Sequence, residues 1–125
     1  MVVDSDVLID FFRDVEKAKL FLLESSERLL VSRLSVMEVI LGVKSKRAGI
    51  KALKQLENLG IEIVEVDGRV SEEAGKIFWD NSHKWGIGII DSFVAATTLN
   101  LGAKLATRNV RHFKSIERLD LIVPY

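Results

Sequence analysis

The chain has no cysteine. Disulfides, zinc–thiolate sites and cysteine nucleophiles are all excluded by that absence. A reducing compartment such as the cytoplasm is the expected setting. Only one proline is present, Pro124, so there is no proline-rich linker or polyproline tract. Aromatic residues make up 7% of the chain, too few for the run of stacking platforms that single-stranded nucleic-acid channels use. Neither charge sign dominates: 18 Lys and Arg balance 18 Asp and Glu. A general nucleic-acid binder is usually basic, so any polyanion must be met by a local patch. No apolar run approaches the roughly 18 residues that span a bilayer. The first residues carry Asp4 and lack a basic start followed by an apolar stretch, so no secretory signal is expected and no membrane partner either. No repeat or low-complexity tract interrupts the pattern.

What remains is an ordinary globular composition, with 48% hydrophobic and 29% charged residues over 125 positions. That length is near the commonest domain size, and a single domain over 1–125 is the expectation. Apolar periodicity switches between strand-like and helix-like runs. Met1 to Val3, Leu29 to Val31, Ile61 to Val66, Ala103 to Thr107 and Leu121 to Val123 read as short strands. Between them, Val7, Leu8, Phe11 and Phe12 recur at helical spacing from about Asp6. Val15, Ala18 and Leu22 give a second helix, and Val36, Val39, Ile40 and Val43 a third. Ala52, Leu53, Leu56 and Leu59 give a fourth, stopped by Gly60. Val70 to Trp85 form a long fifth helix. Residues 91–101 are apolar on nearly every side and read as a buried helix, followed by a short turn over 110–116. Strands alternating with helices predict an α/β protein, a parallel sheet of four to five strands covered on both faces. Ligands in such sheets bind beyond the carboxyl ends of the strands, where strand order switches.

Acidic residues gather at such positions. Asp4 follows the first strand, with Asp6 two residues on. Asp91 opens the buried helix after a glycine-flanked loop. Asn109 follows the fourth strand in Thr107-Arg108-Asn109. Glu38 is placed in the first turn of the third helix. Mg²⁺ takes oxygen ligands and is usually held by one or two carboxylates with water and substrate phosphate. Converging carboxylates repel unless a cation offsets their charge, and such a cation activates water and stabilises a leaving oxygen. In-line attack on a phosphodiester is the implied chemistry. Each acid also has a local explanation. Asp4 is a preferred helix N-cap. Ser35-Val36-Met37-Glu38 matches a capping box in which Glu38 reaches back to the Ser35 amide. Asp91 suits the positive end of a helix dipole.

Four segments resemble the motifs of PIN-domain proteins, in order and over nearly the whole chain. They are Val2-Val3-Asp4-Ser5-Asp6-Val7-Leu8-Ile9-Asp10, then Ser35-Val36-Met37-Glu38-Val39-Ile40-Leu41-Gly42, then Ile90-Asp91-Ser92-Phe93-Val94-Ala95-Ala96-Thr97. The last is Leu105-Ala106-Thr107-Arg108-Asn109-Val110-Arg111-His112-Phe113. Each is weak alone; together they are specific. Within the family the chain is most similar to the VapC toxins of toxin–antitoxin pairs. The resemblance implies a three-layer α/β/α fold with sheet order 3-2-1-4-5. It implies a Mg²⁺- or Mn²⁺-dependent ribonuclease, usually a homodimer, held inactive by a cognate antitoxin. It assigns Asp4, Glu38 and Asp91 to the metal and gives Thr107 the positioning of water or a substrate phosphate. The chain departs from the pattern in three places. Asn109 stands where many relatives carry a fourth acid, His112 where Asp is frequent, and Asp6 where Asn is frequent. A weaker second metal position is implied, with Asp6 as a candidate to compensate.

Lys104, Arg108, Arg111 and Lys114 cluster by the fourth motif, and Arg108, Arg111 and Lys114 are the candidates for RNA phosphate contacts. Lys44, Lys46, Arg47, Lys51 and Lys54 form a second basic group read as solvated surface. Leu20, Phe21, Leu23, Ile40 and Leu41 exceed what one buried stripe needs, which suggests a dimer or antitoxin surface. Trp79 and Trp85 are assigned to core or interface packing. Three alternatives compete. A phospho-receiver-like signalling domain would use Asp67 after a strand. A metal-free nuclease would pair His83 with His112 as acid and base. A catalytically inactive PIN-like module would only bind partners.

Overall fold

In the computed structural model, which describes residues 1–125 apart from the side chain of Trp85, the elements alternate as the periodicity predicts. They run β1 (Val2–Val3), α1 (Ser5–Phe12), α2 (Glu16–Glu24), β2 (Leu30–Ser32), α3 (Arg33–Leu41) and α4 (Lys46–Asn58). Then come β3 (Glu62–Val64), α5 (Gly68–Trp85), α6 (Ile89–Asn100), β4 (Lys104–Ala106), α7 (Val110–Phe113) and β5 (Asp120–Ile122). The five strands form one sheet ordered β3-β2-β1-β4-β5, and every pairing is parallel. The architecture is α/β with the strand order implied by the resemblance.

Side-chain alternation along β1 explains the layering. Val2 faces one core with Ala74, Ile77, Val94 and Phe113, which belong to α5, α6 and α7. Val3 faces the opposite core with Val7, Leu22, Val36 and Leu56, from α1 to α4. Successive strand residues point to opposite faces, so one strand only two residues long joins both layers.

Local chemistry sets the helix ends. Asp67 caps α5 by accepting from the Val70 amide at 2.9 Å, and Gly86 closes that helix in the left-handed region at φ +66, where a Cβ is disfavoured. Ser45 caps α4 through the Ala48 amide. The start of α3 differs from the capping-box expectation. Its N-cap is Ser32, which accepts from the Leu34 amide at 3.3 Å. Ser35 lies inside the helix, and its buried hydroxyl has no hydrogen-bond partner among the described residues. The physical reason is that β2 runs on to Ser32, so the chain turns into helix three residues before the S-x-x-E motif can act. Glu38 therefore sits beyond the first turn and does not cap it. Trp79 is 74% exposed, which removes it from the core; the Trp85 expectation lies outside the described residues.

The chain runs β1, β2, β3 outward to one side, then returns to lay β4 on the other side of β1. The switch in strand order therefore lies between β1 and β4, where the carboxyl ends of a doubly wound sheet form a crevice.

Candidate active site

Asp4 leaves β1 at that switch, and its backbone amide donates to the Ala106 carbonyl across it at 3.0 Å. Its side chain has two duties. One carboxylate oxygen accepts from the Ser5 amide at 2.8 Å and caps α1. The other accepts from the Thr107 hydroxyl at 2.8 Å. The cap reading and the site reading of Asp4 thus hold together. Thr107 is fully buried, and its oxygen also accepts from the Asn109 amide at 3.0 Å. With one proton to give, the hydroxyl is directed at Asp4 and orients that carboxylate.

Asp6 stands two residues on, in the first turn of α1. Its Oδ2 accepts from the Arg108 amide at 2.9 Å and lies 3.3 Å from the Thr107 hydroxyl, tying α1 to the loop after β4. Its Oδ1 is buried with no hydrogen-bond partner among the described residues. Asp91, in the first turn of α6, does not cap: the N-cap there is Gly88. Asp91 Oδ2 lies 2.9 Å from His112 Nδ1, and that same nitrogen lies 2.7 Å from the Asn109 side-chain amide. Glu38 stands on α3, half-buried.

The acids also act on one another electrostatically. Burial pushes the Asp4 carboxyl up to about 7, and the charges of Asp6 and Asp91 add to the rise. Glu38 is raised by burial, with Asp91 and Asp6 again contributing. Asp6 is raised by burial, partly offset by hydrogen bonds from the Arg108 and Val7 amides. Among the described residues no Lys or Arg forms an ion pair with Asp4, Asp6 or Glu38. Buried like charges without a cationic partner are costly, and an orphaned carboxylate oxygen among them is what a hard cation would satisfy. Among the described residues no three His, Asp or Glu side chains stand close enough to enclose one ion. The donor set therefore fits a cation held by carboxylates in ones and twos with water completing its shell, the habit of Mg²⁺, and not an all-protein cage.

Of the basic candidates, Arg111 and Lys114 are exposed. Arg108 is exposed as well and is held by an acid: its guanidinium pairs with Asp10 and lies over the Tyr125 ring at 5.5 Å, while the Tyr125 hydroxyl donates to the same Asp10 at 2.8 Å. Sequence reasoning gave no role to Asp10 or Tyr125. The spacing of Asp6 and Asp10, one helical turn apart, was the available signal.

The alternatives meet these facts differently. A receiver-like fold has strand order 2-1-3-4-5, unlike the order here, and Asp67 is engaged as a helix cap. His83 stands edge-on to Trp79 at 6.1 Å between ring centres, whereas His112 contacts Asp91 and Asn109.

The family model for the PIN domain matches residues 1–119. A curated relative, Ribonuclease VapC19 of Mycobacterium tuberculosis, is 29% identical over 99% of this chain and 98% of its own length. A toxin–antitoxin complex from Klebsiella pneumoniae superposes with TM-score 0.78 at 22% identity, covering 99% of this chain and 97% of that one. DNA-bound VapBC from Salmonella typhimurium gives TM-score 0.79 at 21% identity, covering 97% and 95%. FitAcB from Neisseria gonorrhoeae gives 0.78 at 22%, covering 98% and 96%.

Proposed function

The chain belongs to the PIN-domain family, and we propose that it is a divalent-metal-dependent ribonuclease of the VapC type, the toxin of a toxin–antitoxin pair. The observation that carries this reading is Asp4 at the strand-order switch, buried with no cationic partner among the described residues, with the charge of Asp91 acting on both Asp4 and Glu38. The RNA substrate is supported by the name of the Mycobacterium relative. A cognate antitoxin is supported by structural neighbours that are toxin–antitoxin complexes. A homodimer in the cytoplasm completes the proposal. The exposed apolar residues Leu20, Leu23 and Leu41 are available for one of these protein contacts.

Asp4, Glu38 and Asp91 are the proposed holders of Mg²⁺ or Mn²⁺. What a bound cation supplies is Lewis acidity, which lowers the cost of deprotonating water and of charge on the reacting phosphate. The protein's own part is placement. Ser5 and Thr107 fix both oxygens of Asp4. Asp6 holds the Arg108 amide and so the loop that carries Asn109. Asp10 pairs with the Arg108 guanidinium, and the Tyr125 ring lies against it. Arg108, Arg111 and Lys114 are the proposed phosphate contacts, positioning the strand without reading its sequence.

The test is cleavage of a mixed RNA pool with Mg²⁺, with Mn²⁺ and with chelator, followed by mapping of the cut ends. Cleavage that appears only with a divalent ion, at defined sites, is expected. Full cleavage in chelator refutes the metal, and no cleavage under any condition refutes the nuclease.

A further inference from the structure

His112 Nδ1 has two polar neighbours that one nitrogen cannot serve together. Asp91 Oδ2 at 2.9 Å only accepts, so it calls for a protonated Nδ1. The Asn109 amide nitrogen at 2.7 Å only donates, so it calls for a bare one. A half-turn of the Asn109 amide exchanges its nitrogen for its oxygen in nearly the same volume. Three lone-pair atoms then converge: an imidazole nitrogen, a carboxylate oxygen and an amide oxygen. A single proton on Nδ1 has two acceptors and satisfies one of them well. A cation in its place satisfies all three.

The spacings suit that exchange. Around an octahedral cation with bonds of 2.0–2.1 Å, neighbouring ligands lie about 2.9 Å apart. The frame is also built to hold the three atoms. Phe113, next to His112, is fully buried and anchors α7 in the core. The Asn109 backbone amide is held by Thr107. Gly88, whose added Cβ would come within 3.8 Å of Asp91 Oδ2, leaves that side of the carboxylate open. Asp91 also acts electrostatically on Asp4 and Glu38, so it stands between the oxygen-only group and the nitrogen-bearing corner.

We propose that His112, with Asp91 and the Asn109 amide oxygen, forms a mixed nitrogen–oxygen corner in which the imidazole is a direct ligand to a divalent transition-metal ion. The inference rests on the nuclease reading and sharpens its cofactor. Mg²⁺ favours oxygen ligands, whereas imidazole suits transition metals such as Fe, Ni, Cu and Zn. His112 therefore biases the site toward a transition-metal ion over Mg²⁺, where an acid at this position would leave it oxygen-only.

The test uses Mn²⁺, a paramagnetic probe, with the intact protein and pulsed electron paramagnetic resonance. Bound Mn²⁺ is expected to show ¹⁴N coupling of directly ligated imidazole. His112→Ala removes that coupling and weakens Mn²⁺ binding by about tenfold or more, a loss seen even for outer partners of metal ligands. His112→Asp removes the coupling, keeps binding and lowers the preference for Mn²⁺ over Mg²⁺ in competition titrations. Circular dichroism confirms that both variants fold. Mn²⁺ bound to the wild-type chain without ¹⁴N coupling overturns the proposal and leaves the nuclease reading standing. Coupling that survives in His112→Ala also overturns it. No Mn²⁺ binding at all overturns it too, while the nuclease reading is decided separately by the cleavage assay.

Discussion

At the residue scale the central object is Asp4, nearly buried and pushed up to about 7 by burial and by its acidic neighbours. The sign of the consequence follows from linkage. Between the unfolded value near 3.8 and about 7, the native state binds a proton at Asp4 that the unfolded chain has released. Stability falls with pH wherever the native state binds more protons. The metal-free protein therefore loses stability as pH rises from about 4 through about 7, by at most about 4 kcal/mol from this group. Asp4→Asn keeps an acceptor for the Ser5 amide and a partner for Thr107 while removing the charge. We expect its metal-free melting temperature at pH 8 to exceed the wild type by at least about 4 °C, with the difference vanishing near pH 4. RNA cleavage by the same variant should drop by about 100-fold or more, the scale of losing one fixed electrostatic group at a reacting centre. Thermal scans across pH and a cleavage assay measure both. A variant that cleaves at the wild-type rate removes Asp4 from the machinery.

At the scale of elements, almost every helix and strand was legible from apolar period alone, because this sheet is covered on both faces and its short strands read as uninterrupted apolar runs. Helix starts were less legible. Ser32 and Ser35 are both followed by helical sequence, and the motif rule favoured Ser35 because Glu38 stands three residues on. The winner was decided by where parallel pairing to β3 ends, with Ser32 opposite Val64, a long-range fact that no local window contains. That gives a paired prediction. Ser32→Ala removes the cap and costs about 1 kcal/mol. Ser35→Ala removes a buried hydroxyl that has no partner and should be neutral or slightly stabilising, since its desolvation cost disappears. Urea unfolding of the two variants distinguishes them; a larger loss at Ser35 than at Ser32 would restore the capping box. The same competition frees Glu38 for the acidic group.

At the scale of the whole molecule, the sequence could mark the acids but not their company. Asp4 and Thr107 are separated by 103 positions, and only the return of β4 to the flank of β1 makes them neighbours. The contact of His112 with Asp91 spans 21 positions and depends on how α7 docks against α6, which periodicity does not encode. The topology thus gathers uncompensated acids at one place and leaves their mutual repulsion as a standing cost to the fold. A ligand that binds only the native state stabilises it by RT ln(1 + [L]/Kd). At an ion concentration one hundredfold above Kd that amounts to about 2.7 kcal/mol, or roughly 10 °C in a domain of this size. Mg²⁺ or Mn²⁺ should therefore raise the melting temperature of the wild-type chain, more at pH 8 than at pH 5, because protons compete for the same carboxylates. Calcium-free buffers, a chelator control and Asp91→Asn complete the measurement. An equal rise in Asp91→Asn and wild type would show that the ion acts on the general surface. A rise confined to the wild type would place the ion's stabilising effect at these acids.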